Sequence, residues 1–280
     1  MKTVELANGL QVPALGFGTW RLADGEEVIQ AVTAALEAGY RHIDTAQTYK
    51  NEAGVGQAIK DSHVDRADIF LTTKIWNDQA TYEGTIASFE ESLKKLQTDY
   101  VDLLLVHWPN PQAYREEPGY QARNAEVWRA LEDLYDQGLA KSIGISNFHQ
   151  EHYQALAETA RIKPMVNQIK LTPGLLQKDL VDFSKAHGMA LEAYSPFGSG
   201  DLFANEEIKT LADKYQTGVA QLALTWALQH DFIVLPRSSN PDNIKANFDL
   251  PDLTISPEDM ATLDNLDIDV ECPDPNTKPF

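Results

Sequence analysis

The sequence predicts a (β/α)8 barrel, and three observations carry that expectation. Short apolar runs alternate with amphipathic stretches eight times. No linker or low-complexity tract interrupts the alternation. The length, 280 residues, is ordinary for one such barrel and ample for a core without disulfides or a structural metal. Residues 1–280 therefore read as a single domain.

Thr3 to Leu6 and Leu10 to Val12, joined by Asn8-Gly9, have the pattern of a β-hairpin, expected to close the bottom of the barrel. The barrel runs are Ala14-Leu15-Gly16-Phe17, His42-Ile43-Asp44, Ile69-Phe70-Leu71-Thr72, Val101 to Val106, Ile143-Gly144-Ile145, Met165-Val166, Ala190 to Ala193 and Phe232 to Leu235. Several are unbroken apolar stretches, as parallel strands covered on both faces require. Between them, Asp24 with Glu27 resembles a capping box ahead of Val28, Val32 and Leu36, and Gly39 ends that helix. Ile86, Phe89, Leu93 and Leu96 fall on one helical face. Val127, Leu131 and Leu134 do the same between a cap at Asn124 and a stop at Gly138. Thr217 is the expected cap of the helix through Trp226.

The formal charge is −19, from 23 basic against 42 acidic side chains, which repels nucleic-acid phosphates and anionic membrane surfaces. The single cysteine, Cys272, has no internal partner, so a reducing compartment is expected. No run has the length of a signal peptide core or a membrane span, and the expected location is the cytoplasm. No apolar surface stripe calls for a partner chain, so a monomer is expected.

Catalytic groups of such barrels lie at the carboxyl ends of the strands. Those ends carry Asp44, Lys74, His107, Asn147, Gln168, Tyr194 and Arg237. Any one of them alone is an ordinary loop or capping residue; seven at one rim are not. Lys74 and Asp44 facing each other would form a charge-assisted pair. Tyr49 follows five residues after Asp44. A free phenol, with a pKa of about 10, is a poor acid at neutral pH. A neighbouring ammonium would lower that value, so Lys74 is expected to tune Tyr49, with Asp44 holding Lys74. His107 offers a ring nitrogen to orient a carbonyl oxygen beside the phenol.

The segments Gly16-Phe17-Gly18-Thr19-Trp20, Gly39-Tyr40-Arg41-His42-Ile43-Asp44-Thr45-Ala46 with Tyr49, Leu105-Val106-His107-Trp108-Pro109 and Ile143-Gly144-Ile145-Ser146-Asn147-Phe148 closely resemble the aldo-keto reductase family, nearest its bacterial diketogluconate-reductase-like branch. The likeness runs through essentially the whole chain. It implies a catalytic tetrad of Asp44, Tyr49, Lys74 and His107, with hydride passing from a nicotinamide to a substrate carbonyl carbon while Tyr49 protonates the oxygen. It also implies that Ser146, Asn147 and Gln168 hold the carboxamide and that Tyr194 stacks on the nicotinamide ring. Gly18, Thr19, Trp20 and Asp44 complete that end of the cofactor site.

The residues themselves agree with this placement. Neither G-x-G-x-x-G nor G-x-x-x-x-G-K-[ST] occurs. Barrel phosphate sites use the loops after strands seven and eight. Here those loops carry Ser195, Phe197 and Ser199, and then Pro236, Arg237 and Ser238. Arg237 replaces the family's usual lysine and keeps the charge, whereas Asn243 stands where a second arginine is common. Ala246 replaces a frequent adenine contact, and Asn247 is retained. NADPH is therefore the expected cofactor, with NADH use possible. Lys170 stands where the family usually has a glutamate, and a contact with the cofactor, a contact with a neighbouring rim residue or a surface role each fits it.

Trp20, Trp76 and Trp108 follow strand ends and are expected to wall the substrate pocket with Tyr49 and His107, an apolar enclosure suited to small aldehydes and ketones. The loop from Asn110 to Arg123 and the tail from Asp267 to Phe280 are expected to shape the rest. Two rival readings are a Schiff-base aldolase using Lys74 and a nicotinamide-binding redox-sensing subunit. The seven histidines contain no H-x-H and no H-E-x-x-H, so no metal is expected.

Overall fold

The computed structural model describes residues 2–116 and 119–279. Glu117 and Pro118, in the loop from Asn110 to Arg123, and Phe280, in the tail, lie outside the described residues. Among the described residues, β1 (Thr3–Glu5) and β2 (Gln11–Pro13) pair antiparallel as the Asn8-Gly9 turn predicts. Eight parallel strands follow: β3 (Phe17–Gly18), β4 (His42–Asp44), β5 (Phe70–Ile75), β6 (Leu103–Val106), β7 (Ile143–Ser146), β8 (Val166–Lys170), β9 (Ala190–Tyr194) and β10 (Ile233–Leu235). Each pairs with its sequence neighbour. The seam closes where Leu15 bridges Val234 and the Gly16 and Gly18 amides donate to the Val234 and Pro236 carbonyls. Gly16 is required at this seam, because a Cβ there would lie 2.7 Å from the His42 ring and from Leu235.

The helices α1 (Glu26–Ala38), α2 (Glu52–Asp61), α3 (Tyr82–Leu96), α4 (Gly119–Asp136), α5 (Gln150–Ala157), α6 (Lys178–Ala186), α7 (Glu206–Lys214), α8 (Val219–Gln229), α9 (Pro241–Phe248) and α10 (Pro257–Asp264) surround the strands. The simple alternation is broken twice: α7 and α8 both lie between β9 and β10, and α10 follows α9. Val28, Val32 and Leu36 of α1 are buried, and Gly39 ends that helix at φ 113, where glycine carries no steric cost.

Three expected caps are corrected. Gly25 is the N-cap of α1, and Asp24 instead accepts the Gly54 amide while Glu27 accepts the Ala23 amide. Asn124 is not a cap but a buried residue inside α4, where it donates to the Pro109 carbonyl. Gly218, not Thr217, is the N-cap of α8. The hairpin packs Leu6 and Val12 with Phe70, Leu103, Met165 and Ile233, the lower ends of the barrel strands.

Candidate active site

At the opposite end, the strands deliver polar side chains into one mouth. Lys74, near the end of β5, is fully buried, and its ammonium donates to both Asp44 carboxylate oxygens at 2.7 Å and to the Thr45 carbonyl at 2.8 Å. Its last contact is the Tyr49 hydroxyl at 3.4 Å. An ammonium has three hydrogens, and all are engaged. A Schiff-base nucleophile needs a free amine, so this arrangement does not favour the aldolase reading.

Tyr49 closes a short 3-10 turn, Gln47–Tyr49. Gln47 fixes that turn: its oxygen accepts the Trp76 amide at 2.7 Å and its nitrogen donates to Ser88 and Ser92 on α3. The phenol ring meets His107 edge-on, with centroids 5.8 Å apart, and Trp76 also meets that imidazole edge-on at 5.1 Å.

The electrostatics correct one expectation. Tyr49 is raised well above the ordinary tyrosine value, by burial and then by the Asp44 carboxylate, rather than lowered by Lys74. The physical reason is that burial penalises the phenolate most, and the Asp44 carboxylate, although paired with Lys74, adds its own negative charge nearby. Tyr49 thus keeps its proton across the neutral range. Burial and the Lys74 charge hold His107 well below the ordinary imidazole range, so the ring is neutral, and its Nδ1 has no hydrogen-bond partner among the described residues.

The expected carboxamide holders form one network. Asn147, at φ 61, donates to the His107 carbonyl and to Ser146 Oγ, and accepts the Tyr194 hydroxyl at 2.8 Å. Ser146 donates to the Gln168 carbonyl, and Gln168 donates to Asp44 Oδ2 at 2.9 Å. Asn147 and Ser195 occupy positive-φ conformations directly after strands, the kind of strained position that clusters at functional sites.

Thr19 is buried and donates to the Asp44 carbonyl. Trp108 is buried, Trp76 half-buried, and Trp20 exposed with the Arg21 guanidinium over its ring. The loop carrying Phe197 and Ser199 bends through positive φ at Gly198, Ser199 and Gly200. Arg237 is exposed and anchored on the Trp20 and Arg21 carbonyls, with Pro236 and Ser238 beside it. Asn243 is exposed on the first turn of α9, and Asn247 is buried. Lys170 is buried and donates to the Glu271 carbonyl, tying the C-terminal segment to the mouth.

Two residues that matter here have no place among the sequence candidates. Arg123 is buried and donates to the Trp76, Gln79 and Trp108 carbonyls, joining the loops that carry Trp76 and Trp108. Glu192 lies fully buried in β9 and accepts from Gln168 at 2.7 Å. Its signal was a lone carboxylate inside the run Ala190 to Ala193, two residues before Tyr194 and so on the same face. The ring nitrogens and carboxylate of His149, Glu151 and His152 cluster, but His152 uses Nδ1 to accept the His149 amide and Nε2 toward Asn276.

A protonated phenol beside a buried ion pair and a neutral imidazole, set in the mouth of a parallel barrel, defines the class of site. The sequence comparisons give that class a family. The aldo/keto reductase family pattern matches residues 14–268, so the chain belongs to that family, whose members carry out NADP(H)-dependent carbonyl reduction. It is 45% identical over 267 residues to glyoxal reductase of Bacillus subtilis, covering 95% of this chain and 93% of that protein. It is 40% identical to methylglyoxal reductase DkgA of Escherichia coli, covering 94% and 93%. The solved structure of the Gox0644 D53A mutant in complex with NADPH superposes with a TM-score of 0.90 at 36% identity, covering 100% of this chain and 99% of that one. These relatives agree with the bacterial branch expected from the motifs.

Proposed function

We propose that the chain, acting as one barrel domain and as a monomer in the cytoplasm, reduces small aldehydes and ketones to alcohols with NADPH. Short α-oxoaldehydes of the glyoxal and methylglyoxal type are its substrate class, in line with the names of its relatives. The observation that carries the reading is the contact of Lys74 with both Asp44 and the Tyr49 hydroxyl, beside a neutral His107.

The donor set fits a nicotinamide dinucleotide. Gln168 commits its amide hydrogens to Asp44 and Glu192, which leaves its oxygen to accept from a carboxamide. Tyr194, half-buried beside Asn147, offers a ring face. The positive-φ loop at Gly198–Gly200 and the exposed guanidinium of Arg237 suit phosphates. When bound, the reduced dinucleotide supplies the hydride for the carbonyl carbon.

The remaining work belongs to the protein. His107 and Tyr49 orient the carbonyl oxygen, and Tyr49 donates its proton as charge develops there. Lys74 then stabilises the phenolate left behind, so its charge acts as the proton departs rather than in the resting state. Trp20, Trp76 and Trp108 exclude water from the reacting carbon.

NADPH oxidation with methylglyoxal tests the reading. Tyr49→Phe is expected to keep cofactor affinity and lose roughly 100- to 10,000-fold in kcat. Normal turnover by that variant would remove Tyr49 as the acid. Catalytic efficiency should favour NADPH over NADH through Arg237, modestly because Asn243 supplies no second cation. Equal efficiencies would overturn that preference.

A further inference from the structure

Beneath Tyr49 a second polar layer crosses the barrel, made of His42 on β4, Gln168 on β8 and Glu192 on β9, all buried. The chemistry of each partner fixes where its hydrogens lie. The Pro13 carbonyl, 3.3 Å from His42 Nδ1, only accepts, so Nδ1 carries the ring hydrogen. Burial keeps that ring neutral, its pKa pushed down to about 4. His42 Nε2 is then a bare acceptor, and Thr72 Oγ1 donates to it at 3.2 Å. Gln168 gives one amide hydrogen to Asp44 Oδ2 and the other to Glu192 Oε2. Glu192 Oε1 is left 3.8 Å from His42 Nε2 with no hydrogen-bond partner among the described residues.

An ionised Glu192 would aim lone pairs at a lone pair and set a second anion beside Asp44. Lys74, the cation facing this layer from β5, is already clamped by both Asp44 oxygens. Lys170, on β8, donates to Glu271 instead. Asp102, which acts on His42, adds negative charge, and β10 contributes only Ile233, Val234 and Leu235. A hydrogen on Oε1 removes both conflicts.

We propose that Glu192 is a positioning residue of the reductase site: a neutral carboxylic acid whose carbonyl oxygen holds the Gln168 amide with its nitrogen inward and its oxygen toward the mouth. Burial and the Asp44 charge push the Glu192 carboxyl up to about 8, so the acid form holds at neutral pH and is lost on the alkaline side. Ionisation would add negative charge near Asp44, which already raises Tyr49, and the phenol would release its proton less readily. The catalytic consequence rests on Tyr49 as proton donor; the protonation state of Glu192 does not.

Infrared difference spectra of the cofactor-free protein, wild type minus Glu192→Gln, read the carboxyl directly. The expected result is the carbonyl stretch of a protonated acid at neutral pH, shifted in D2O and fading as pH rises through about 8. Glutamine copies the neutral acid, so Glu192→Gln should keep kcat within about twofold at neutral pH and hold it where the wild-type rate falls. Glu192→Leu, lacking the acceptor, should raise the cofactor KM about fivefold. A spectrum with only ionised-carboxylate bands at neutral pH overturns the proposal. So does the same alkaline fall in wild type and Glu192→Gln. Tyr49→Phe separates the two readings: it should retain the acid band while losing reduction, and if it reduces normally the proton-donor assignment fails with the infrared result intact.

Discussion

The two ends of this barrel are built on opposite physics. The lower end is apolar: Leu6 and Val12 of the hairpin close over Phe70, Leu103, Met165 and Ile233, and every contact there favours folding. The upper end buries Asp44, Lys74, His107 and Glu192, groups whose desolvation opposes folding unless each is paired or neutral. The contrast teaches where the chain carries strain for the sake of chemistry and where it gains the stability to do so.

Cutting into each end should therefore give different signatures. The largest effect is expected for Lys74→Met, which leaves Asp44 buried without its cation. We expect a loss of about 3 to 5 kcal/mol in unfolding free energy together with loss of turnover, measured by urea denaturation and steady-state assay. Unchanged stability would mean that the ion pair is not buried in solution.

The pair Glu192 and His42 predicts a pH signature. His42 sits near 4 when folded and near 6.5 unfolded, so its contribution is full above 6.5 and lost as pH falls through 4. Glu192 runs the other way: its contribution is greatest below the ordinary carboxylate value of about 4.5 and lost as pH rises through about 8. Between about 4.5 and 6.5, where the two windows overlap, folding in effect moves one proton from His42 to Glu192 and their slopes cancel. In Glu192→Gln only His42 remains, so stability should rise relative to wild type by about 3 kcal/mol from pH 4 to 6.5. Parallel profiles for the two proteins would show that folding takes up no proton at Glu192.

At the lower end, Leu6→Ala should cost about 2 to 3 kcal/mol while leaving kcat at 25 °C unchanged. A fall in kcat would show that the floor shapes the mouth. The smallest effect is expected for Asn240→Ala, which removes the side-chain acceptor of the Asp242 and Asn243 amides at the start of α9. About 1 kcal/mol should be lost, with a small rise in cofactor KM if Arg237 and Ser238 depend on that turn.

The same contrast explains what was legible in the sequence. Apolar runs placed all eight strands, because a strand buried on both faces has few residue types available to it. Caps were harder to read: Asn124 has a capping side chain, yet α4 begins five residues earlier and uses that amide to hold the Pro109 carbonyl. Asp44, Lys74 and His107 stood out as candidates because polar residues after apolar runs announce a rim, and Tyr49 by its spacing from Asp44 and the family motif. The direction of the Tyr49 shift was missed, since it is set first by burial, which the sequence does not display, and then by the Asp44 charge. Glu192 was missed because an acid inside a strand has no meaning until the opposite strands supply Asp44 and His42.

The seam at Leu15 and Val234 carries a consequence for biogenesis. It joins the first barrel strand to the last, so the ring of side chains around the mouth does not exist until distant stretches of polypeptide have met. A partly assembled chain has every catalytic group but no enclosure to desolvate it. Such a chain should be inert rather than weakly active, and activity should appear during refolding only as this final ring closure is completed.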